Sequence, residues 1–250
     1  SERMHLAVSS WTAADDADAD IALLPTGSTE QHGPHAPMGT DTLSAEAIAD
    51  RAAEAYDGTA LVTPAVPIGI SEEHRQFTGT LWVEPDTFRD YVRETVASLA
   101  GHGVSRVVVV NGHGGNSDAL REVCGTISRR EAAYAVPFTW FDAVDFAAHG
   151  VELGHGGPAE TAVVRALAPE LIDEEELDAA AEGAGEAFGE FEHGTNLAFD
   201  FASFSEAGNV GDPRAGDAER GEVLLEAATA ALVEIVERVA ARDTAPPPHR

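Results

Sequence analysis

The chain reads as an α/β protein, a single domain in which a largely parallel sheet is covered by helices on both faces. Short apolar runs of strand length alternate with longer segments whose apolar residues recur every three or four positions. Glycine- and histidine-rich loops directly follow two of the runs. No Gly/Ser linker, low-complexity bridge or internal repeat divides the 250 residues.

The first run, IALLP (21–25), follows an acidic, loop-like stretch, and its unbroken apolarity with a closing proline predicts a buried strand. TLSAEAIADRAAEAY (42–56) has helical spacing. LVTPAVPIG (61–69) predicts a second strand, and TFRDYVRETVASLAGHG (87–103) a helix that Gly101 and Gly103 stop. RVVVVNGHGGN (106–116) is the clearest strand, four valines running into a glycine-rich turn. SDALREVCGTISRRE (117–131) predicts a third helix and AVPFTWFDAV (135–144) a fourth strand. The polar turn HGGPAE then opens a helix over 160–172, and a long helix over 219–243 closes the chain. The stretch 173–194 is acidic and rich in small residues, which predicts a solvated or mobile excursion outside any site.

Strand–helix alternation implies βαβ units, in which ligands settle at the carboxyl ends of the strands. The loops after 21–25 and 106–110 then share one edge. Residues 1–3, ahead of Met4, read as an expression remnant, with the core at about 20–240 and residues 244–250 as a frayed tail.

A net charge of −29 arises from 44 acidic against 15 basic residues, all of them arginine. An acidic, lysine-free chain with an ordinary apolar fraction suits a folded protein adapted to high salt, where screening weakens surface repulsion. The same charge disfavours nucleic acid and anionic membranes, since no basic stripe is present to release counterions. The lone cysteine, Cys124, rules out an intrachain disulfide and a thiolate metal cage, and its apolar neighbours mark it as a structural thiol. With no apolar run of spanning length and no hydrophobic signal segment, a cytoplasmic enzyme is expected.

Three loops hold most of the reactive polar groups: STEQHGPHAPMGTD (28–41) with Glu30, His32, His35 and Asp41, NGHGGN with His113, and HGGPAET with His155 and Glu160. Carboxylates and neutral imidazoles are the ligands favoured by zinc, manganese or iron, and a carboxylate such as Asp41 can bridge two ions. In an extended loop Glu30 and His32 point the same way, with Gln31 reversed. Divalent cations would neutralise such crowding, and the glycines and prolines would bend the backbone close to them. An E-x-H pair also arises by chance, and the NGHGGN turn could instead cradle a phosphate. That second reading is weakened because the turn lacks both the Lys-Ser/Thr ending of a Walker loop and the G-x-G-x-x-G spacing. No nucleophilic serine or cysteine arrangement is recognisable; Ser28 and Ser117 read as loop or cap residues.

In order and spacing, PTGSTEQHGPHAPMGTD, EEHRQFTGT, VVVVNGHGGNS, HGGPAETA and GNVGDPRAGDAERGE resemble the creatininase (creatinine amidohydrolase) family over about residues 20–240. The resemblance implies an α/β fold, a dinuclear metal centre, hydrolysis of C–N bonds in small amides, and a homo-oligomer, commonly a hexamer. It places Glu30, His32, Asp41 and His113 on the family's metal ligands, with Asp41 as the bridge, and His155 on its proton-transferring histidine. Where creatininase has a glutamate, a ligand of its second metal, this chain has Gly115, and FTGT replaces the usual F-P-G-T. Glu160 either supplies the missing carboxylate or caps its helix. His74 either lines the pocket or lies at the surface; His35 reads as a supporting residue and Asn116 as a helix cap. His5, His102, His149, His193 and His249 are assigned no role.

The expectation is therefore a cytoplasmic hydrolase that binds two divalent ions (Zn, Mn or Fe) and acts on a small amide, cyclic or open-chain, through a metal-activated water. The alternatives are a formamide deformylase acting on a pyrimidine nucleotide, with Arg75 the nearest base for its phosphate, a non-enzymatic metal- or ligand-binding module, and a peptidase for a small modified peptide.

Overall fold

A computed structural model describes residues 4–245, 247–248 and 250. The expected remnant at 1–3, and Pro246 and His249 of the expected tail, lie outside the described residues.

Five parallel strands form the sheet: β1 (Met4–His5), β2 (Ile21–Thr26), β3 (Ala60–Val62), β4 (Arg106–Asn111) and β5 (Tyr134–Thr139), in spatial order β1-β3-β2-β4-β5. β2 and β4 lie at the centre, and all of β2 and Val107 to Asn111 of β4 are buried, as near-continuous apolar runs demand when both faces are covered. Alternate side chains divide two cores. Ile21, Leu23, Val108 and Val110 pack with Ile48, Val163, Leu224 and Leu232. On the other face Ala22, Leu24, Val107 and Val109 meet Phe88, Val92, Leu120 and Val123. The helices behind these residues are α2 (Thr40–Ala55), α5 (Pro158–Leu167) and α7 (Ala218–Ala240) on the first face, α3 (Pro85–Gly101) and α4 (Ser117–Arg130) on the second. Each fully buried valine of β4 contributes roughly 1.5–3 kcal/mol of apolar burial, so this face-by-face division strongly fixes strand register.

The expected α/β class is therefore observed, with different element limits. The second strand stops at Val62, because Pro64 and Pro67 lack the N–H a ladder needs; only an isolated bridge, Thr26 to Val66, continues it. The fourth strand ends at Thr139, where Trp140–Asp142 tightens into a 3₁₀ turn. β1 and a short helix α1 (Trp11–Asp16), whose Ser10 side chain accepts from the Ala13 N–H, precede the first predicted strand. At two and six residues they are too short for periodicity to register. The acidic excursion contains helix α6 (Leu177–Glu182) and strand β6 (Phe191–Glu192), which forms a hairpin with β7 (Thr195–Asn196) just beyond it.

The register Thr26↔Asn111 aligns the ends of β2 and β4 at one edge. Both histidine-rich loops leave from there. Among the described residues no helix is long and apolar enough to cross a membrane.

Candidate metal centre

Four chain segments converge above that edge. Glu30 and His32 lie in the loop after β2, Asp41 in the first turn of α2, His113 just past β4, and His155 in the turn before α5, whose first turn carries Glu160. All six are buried, as is His74 from the 3₁₀ turn Glu72–His74.

Asp41 divides its two oxygens. Oδ1 lies 2.9 Å from His32 Nε2, and Oδ2 lies 3.2 Å from His113 Nδ1. Glu30 Oε1 is also 3.2 Å from His113 Nδ1 and 4.0 Å from His32 Nε2, so the E-x-H pair does point one way. Glu160 Oε2 is 3.7 Å from His32 Nε2 and accepts the Gly156 N–H at 2.6 Å. Glu160 thus braces its helix start and faces the centre at once. Among the described residues three clusters have the spacing to hold an ion: Glu30–Asp41–His113, His32–His155–Glu160 and Glu30–His74–His155. Glu30 Oε2 is buried with no hydrogen-bond partner, and Asp41 Oδ2 accepts no well-aligned hydrogen bond although it lies 3.2 Å from His113 Nδ1; buried polar atoms are nearly always satisfied. Orphaned carboxylate oxygens beside imidazole nitrogens are the donor set that zinc, manganese or iron takes, and the residues fit such ions.

Electrostatics make the same demand. Burial is the largest influence on each group. It pushes Glu30 up to about 8, reinforced by Asp41 and opposed by His113, and Glu160 up to about 7, opposed by His32. Burial presses His32 down, yet Asp41 and Glu160 outweigh it and hold the ring at about 10. His113 is likewise raised well above its ordinary value by Glu30 and Asp41 against burial. Against burial, His32 and His113 hold the Asp41 carboxyl below its usual range. The ion-pair partners of the three carboxylates among the described residues are all histidines. Positive charge is needed at the centre, and divalent cations would supply it.

His155 and His74 behave oppositely. Burial, with His32 and His74 adding to it, lowers His155 well below the ordinary imidazole value, and burial with His113 and His32 lowers His74 to about 2. Their tautomers follow from Gln31. Gln31 Oε1 accepts the Gly33 N–H at 2.8 Å, which orients the amide. Its Nε2 then donates to His74 Nδ1 at 2.7 Å and to the Gly208 carbonyl at 2.7 Å. His155 Nε2 lies 2.7 Å from the Gln31 carbonyl oxygen, which only accepts, so that nitrogen carries the hydrogen. The lone pair of His155 is left on Nδ1, 3.8 Å from Glu30 Oε1. Gln31, expected only to point away from Glu30 and His32, turns out to organise the histidines behind them.

Glycine permits the close packing. Gly156 has φ 52°, and a Cβ there would collide with the His32 carbonyl group. His113 Nε2 donates to the Ile70 carbonyl at 2.7 Å, which aims Nδ1 at the two carboxylates. His35 is buried outside the clusters, with Nε2 2.9 Å from Thr161 Oγ1. Asn116 does not cap α4 as expected. Its amide donates to the Gly27 carbonyl and accepts from the Ile70 N–H, tying the two loops together, because a buried amide between two free backbone groups gains more by bridging them. Arg75 pairs with Asp200 and Glu72 on the exposed side, and Arg75 is not among the residues lining the cavity.

A cavity of about 180 Å³ opens over the centre, lined by Glu30, Asp41, His113, His155 and Glu160 and walled by Phe141, Phe188 and Phe201. Phe188 corrects the expectation that the acidic excursion lies outside the site, since an aromatic ring there covers cavity surface that small residues cannot. Sequence reasoning also passed over Glu73 and Phe201; the Glu-His pair of EEHRQ was the available signal for the former. The GNV segment, part of the resemblance without a stated role, pairs with the backbone of His155: the His155 N–H donates to Val210 and the Val210 N–H to His155.

A parallel α/β sheet that gathers three carboxylates and four imidazoles at its carboxyl edge, under a small cavity, defines a class of cation-competent enzyme domain. The family model of creatininase, creatinine amidohydrolase, matches residues 7–236, and the chain belongs to this family of amidohydrolases. The chain is 34% identical over 209 residues to a mycofactocin precursor peptide peptidase of Mycolicibacterium smegmatis, covering 81% of this chain and 78% of that protein. It is 28% identical over 238 residues to a creatinine amidohydrolase of Pseudomonas putida, covering 86% and 88%. A solved manganese form of creatininase superposes with a TM-score of 0.76 at 25% identity, covering 96% of this chain and 100% of that one.

Proposed function

We infer that the protein hydrolyses an amide C–N bond in a small substrate, using two divalent ions held by these side chains. The observation that supports this best is Asp41, whose two oxygens serve His32 on one side and His113 on the other. Glu30, Asp41 and His113 would hold one ion; His32, Glu160 and the shared Asp41 would hold the other. Bound there, such ions lower the pKa of water toward neutrality and polarise a carbonyl.

The chain's own residues do the rest. The aromatic wall excludes bulk water from the amide. His155, neutral with its lone pair on Nδ1, accepts the proton released when water attacks and returns it to the departing nitrogen. Gln31 holds that ring in the tautomer the transfer requires. No acyl-enzyme is needed, and buried Ser28, bonded to Ser71 at 2.7 Å, remains structural.

A peptide amide is the second substrate reading, favoured by the 34% identity to a peptidase against 28% to a creatinine amidohydrolase. In either case a cytoplasmic homo-oligomer, a hexamer on the family pattern, is the proposed working form.

The test is metal-reconstituted wild type against His155→Ala, assayed for ring opening of a cyclic amide, formate from a formamide-bearing pyrimidine nucleotide, and new amine termini from a short peptide. His155→Ala is expected to keep both ions and lose about 10²–10⁴-fold in turnover. Turnover by neither protein on any amide, with ions bound equally, would favour a binding module. Loss of an ion with the ring would make His155 a ligand.

A further inference from the structure

One carboxylate faces the cavity but belongs to none of the three ion-holding clusters. Glu73 occupies the same 3₁₀ turn as Glu72, yet the two side chains part. Glu72 is exposed and within 3.4 Å of Arg75. Glu73 turns inward, its side chain 26% exposed, with Oε1 3.7 Å from His113 Nε2 and 4.0 Å from His74 Nε2. Neither ring is free to satisfy it. His113 Nε2 donates to Ile70, and His74 Nε2 faces Glu30 at 3.6 Å. Among the described residues Glu73 has no arginine within 4.0 Å, and the chain has no lysine.

The absence of a side chain at Gly115 makes this placement possible. A Cβ built there would collide with the Ile70 carbonyl oxygen and the His113 ring, and would stand 2.9 Å from Glu73 Oε1. Glu73 therefore occupies space that any larger residue at 115 would claim. Glu73 thus brings a carboxylate to the cavity from a loop other than the NGHGGN turn, outside the three ion-competent clusters. Phe141, Phe188 and Phe201 line the same cavity.

We propose that Glu73 is a recognition residue for a positively charged substrate nitrogen, an ammonium or comparable N–H-rich cation, lodged between its carboxylate and the phenyl wall. A carboxylate accepts charge-assisted hydrogen bonds from such a group, and aromatic faces attract it through their quadrupoles. The inference rests on reading the cavity as the place where an amide substrate is hydrolysed. It narrows that substrate to one with a cationic nitrogen near its scissile bond.

The test measures binding rather than turnover, so it is separable from the hydrolytic reading. Benzylamine, cationic at neutral pH, and benzyl alcohol, its neutral counterpart, are titrated calorimetrically into the metal-loaded full chain, and neither contains an amide to cleave. Wild type is expected to bind benzylamine about ten- to hundred-fold more tightly than benzyl alcohol. Glu73→Gln should abolish that preference with ion content, melting temperature and benzyl alcohol affinity unchanged. Glu72→Gln, which removes the same charge on the exposed side of the turn, should leave it intact. Absence of a preference in wild type, its persistence in Glu73→Gln, or its equal loss in Glu72→Gln would overturn the proposal. A preference abolished by Glu73→Gln alone sustains it even if no amide is found to be hydrolysed.

Discussion

His155 Nε2 lies 2.7 Å from the carbonyl oxygen of Gln31, and the side-chain amide of the same glutamine lies 2.7 Å from His74 Nδ1. One residue between two candidate ligands thus governs the protonation pattern of two further histidines.

Gln31→Leu keeps the carbonyl but removes the amide that holds His74 and the Gly208 carbonyl, and with it the loop that pairs with the His155 backbone. We expect turnover to fall about ten- to hundred-fold, the range for supporting residues behind a metal site, with a smaller change in KM. Steady-state kinetics and elemental analysis of the same preparation check this, and both ions should remain bound.

Gly115→Ala places a methyl group against the Ile70 carbonyl and the His113 ring. Because backbone and a buried ring yield little, the variant should lose about 1–3 kcal/mol of stability by denaturant unfolding. It should also bind ions more weakly than wild type, because His113 is displaced.

Cys124 is buried on α4, and burial pushes its thiol up to about 12. The thiolate is the reactive form. Iodoacetamide at pH 8 should leave the native protein unlabelled and modify it fully once unfolded, read by intact-mass spectrometry.

A net charge of −29 on 250 residues repels itself, and screening relieves that. The Debye length falls from about 10 Å at 0.1 M salt to about 3 Å at 1 M. The melting temperature should therefore rise with potassium chloride across this range, by differential scanning calorimetry.

Much of the fold was legible because two central strands, buried on both faces, must read as unbroken apolar runs; Val107 to Val110 are the plainest case. The edge elements were not. Met4–His5 pairs with β3 over two residues, a length with no period to detect, and Pro64 ended a strand that apolarity alone would have prolonged. At the site, Glu30, His32, Asp41 and His113 stood out because such residues are rarely crowded into glycine-rich loops without a charge to share. Gln31, Glu73 and Phe188 stayed hidden for a different reason. Their places depend on which way a loop folds back, and Glu73 reaches the cavity only because Gly115, more than 40 residues away in sequence, leaves room.

The proposed hydrolysis needs two cations sharing Asp41, and elemental analysis of chelator-free protein tests for them. Wild type should contain close to two equivalents of zinc, manganese or iron per chain, and Asp41→Ala, whose loss removes an oxygen from each half of the centre, should contain far fewer. Wild type purifying with none and taking up none on reconstitution, or Asp41→Ala retaining both, would contradict it.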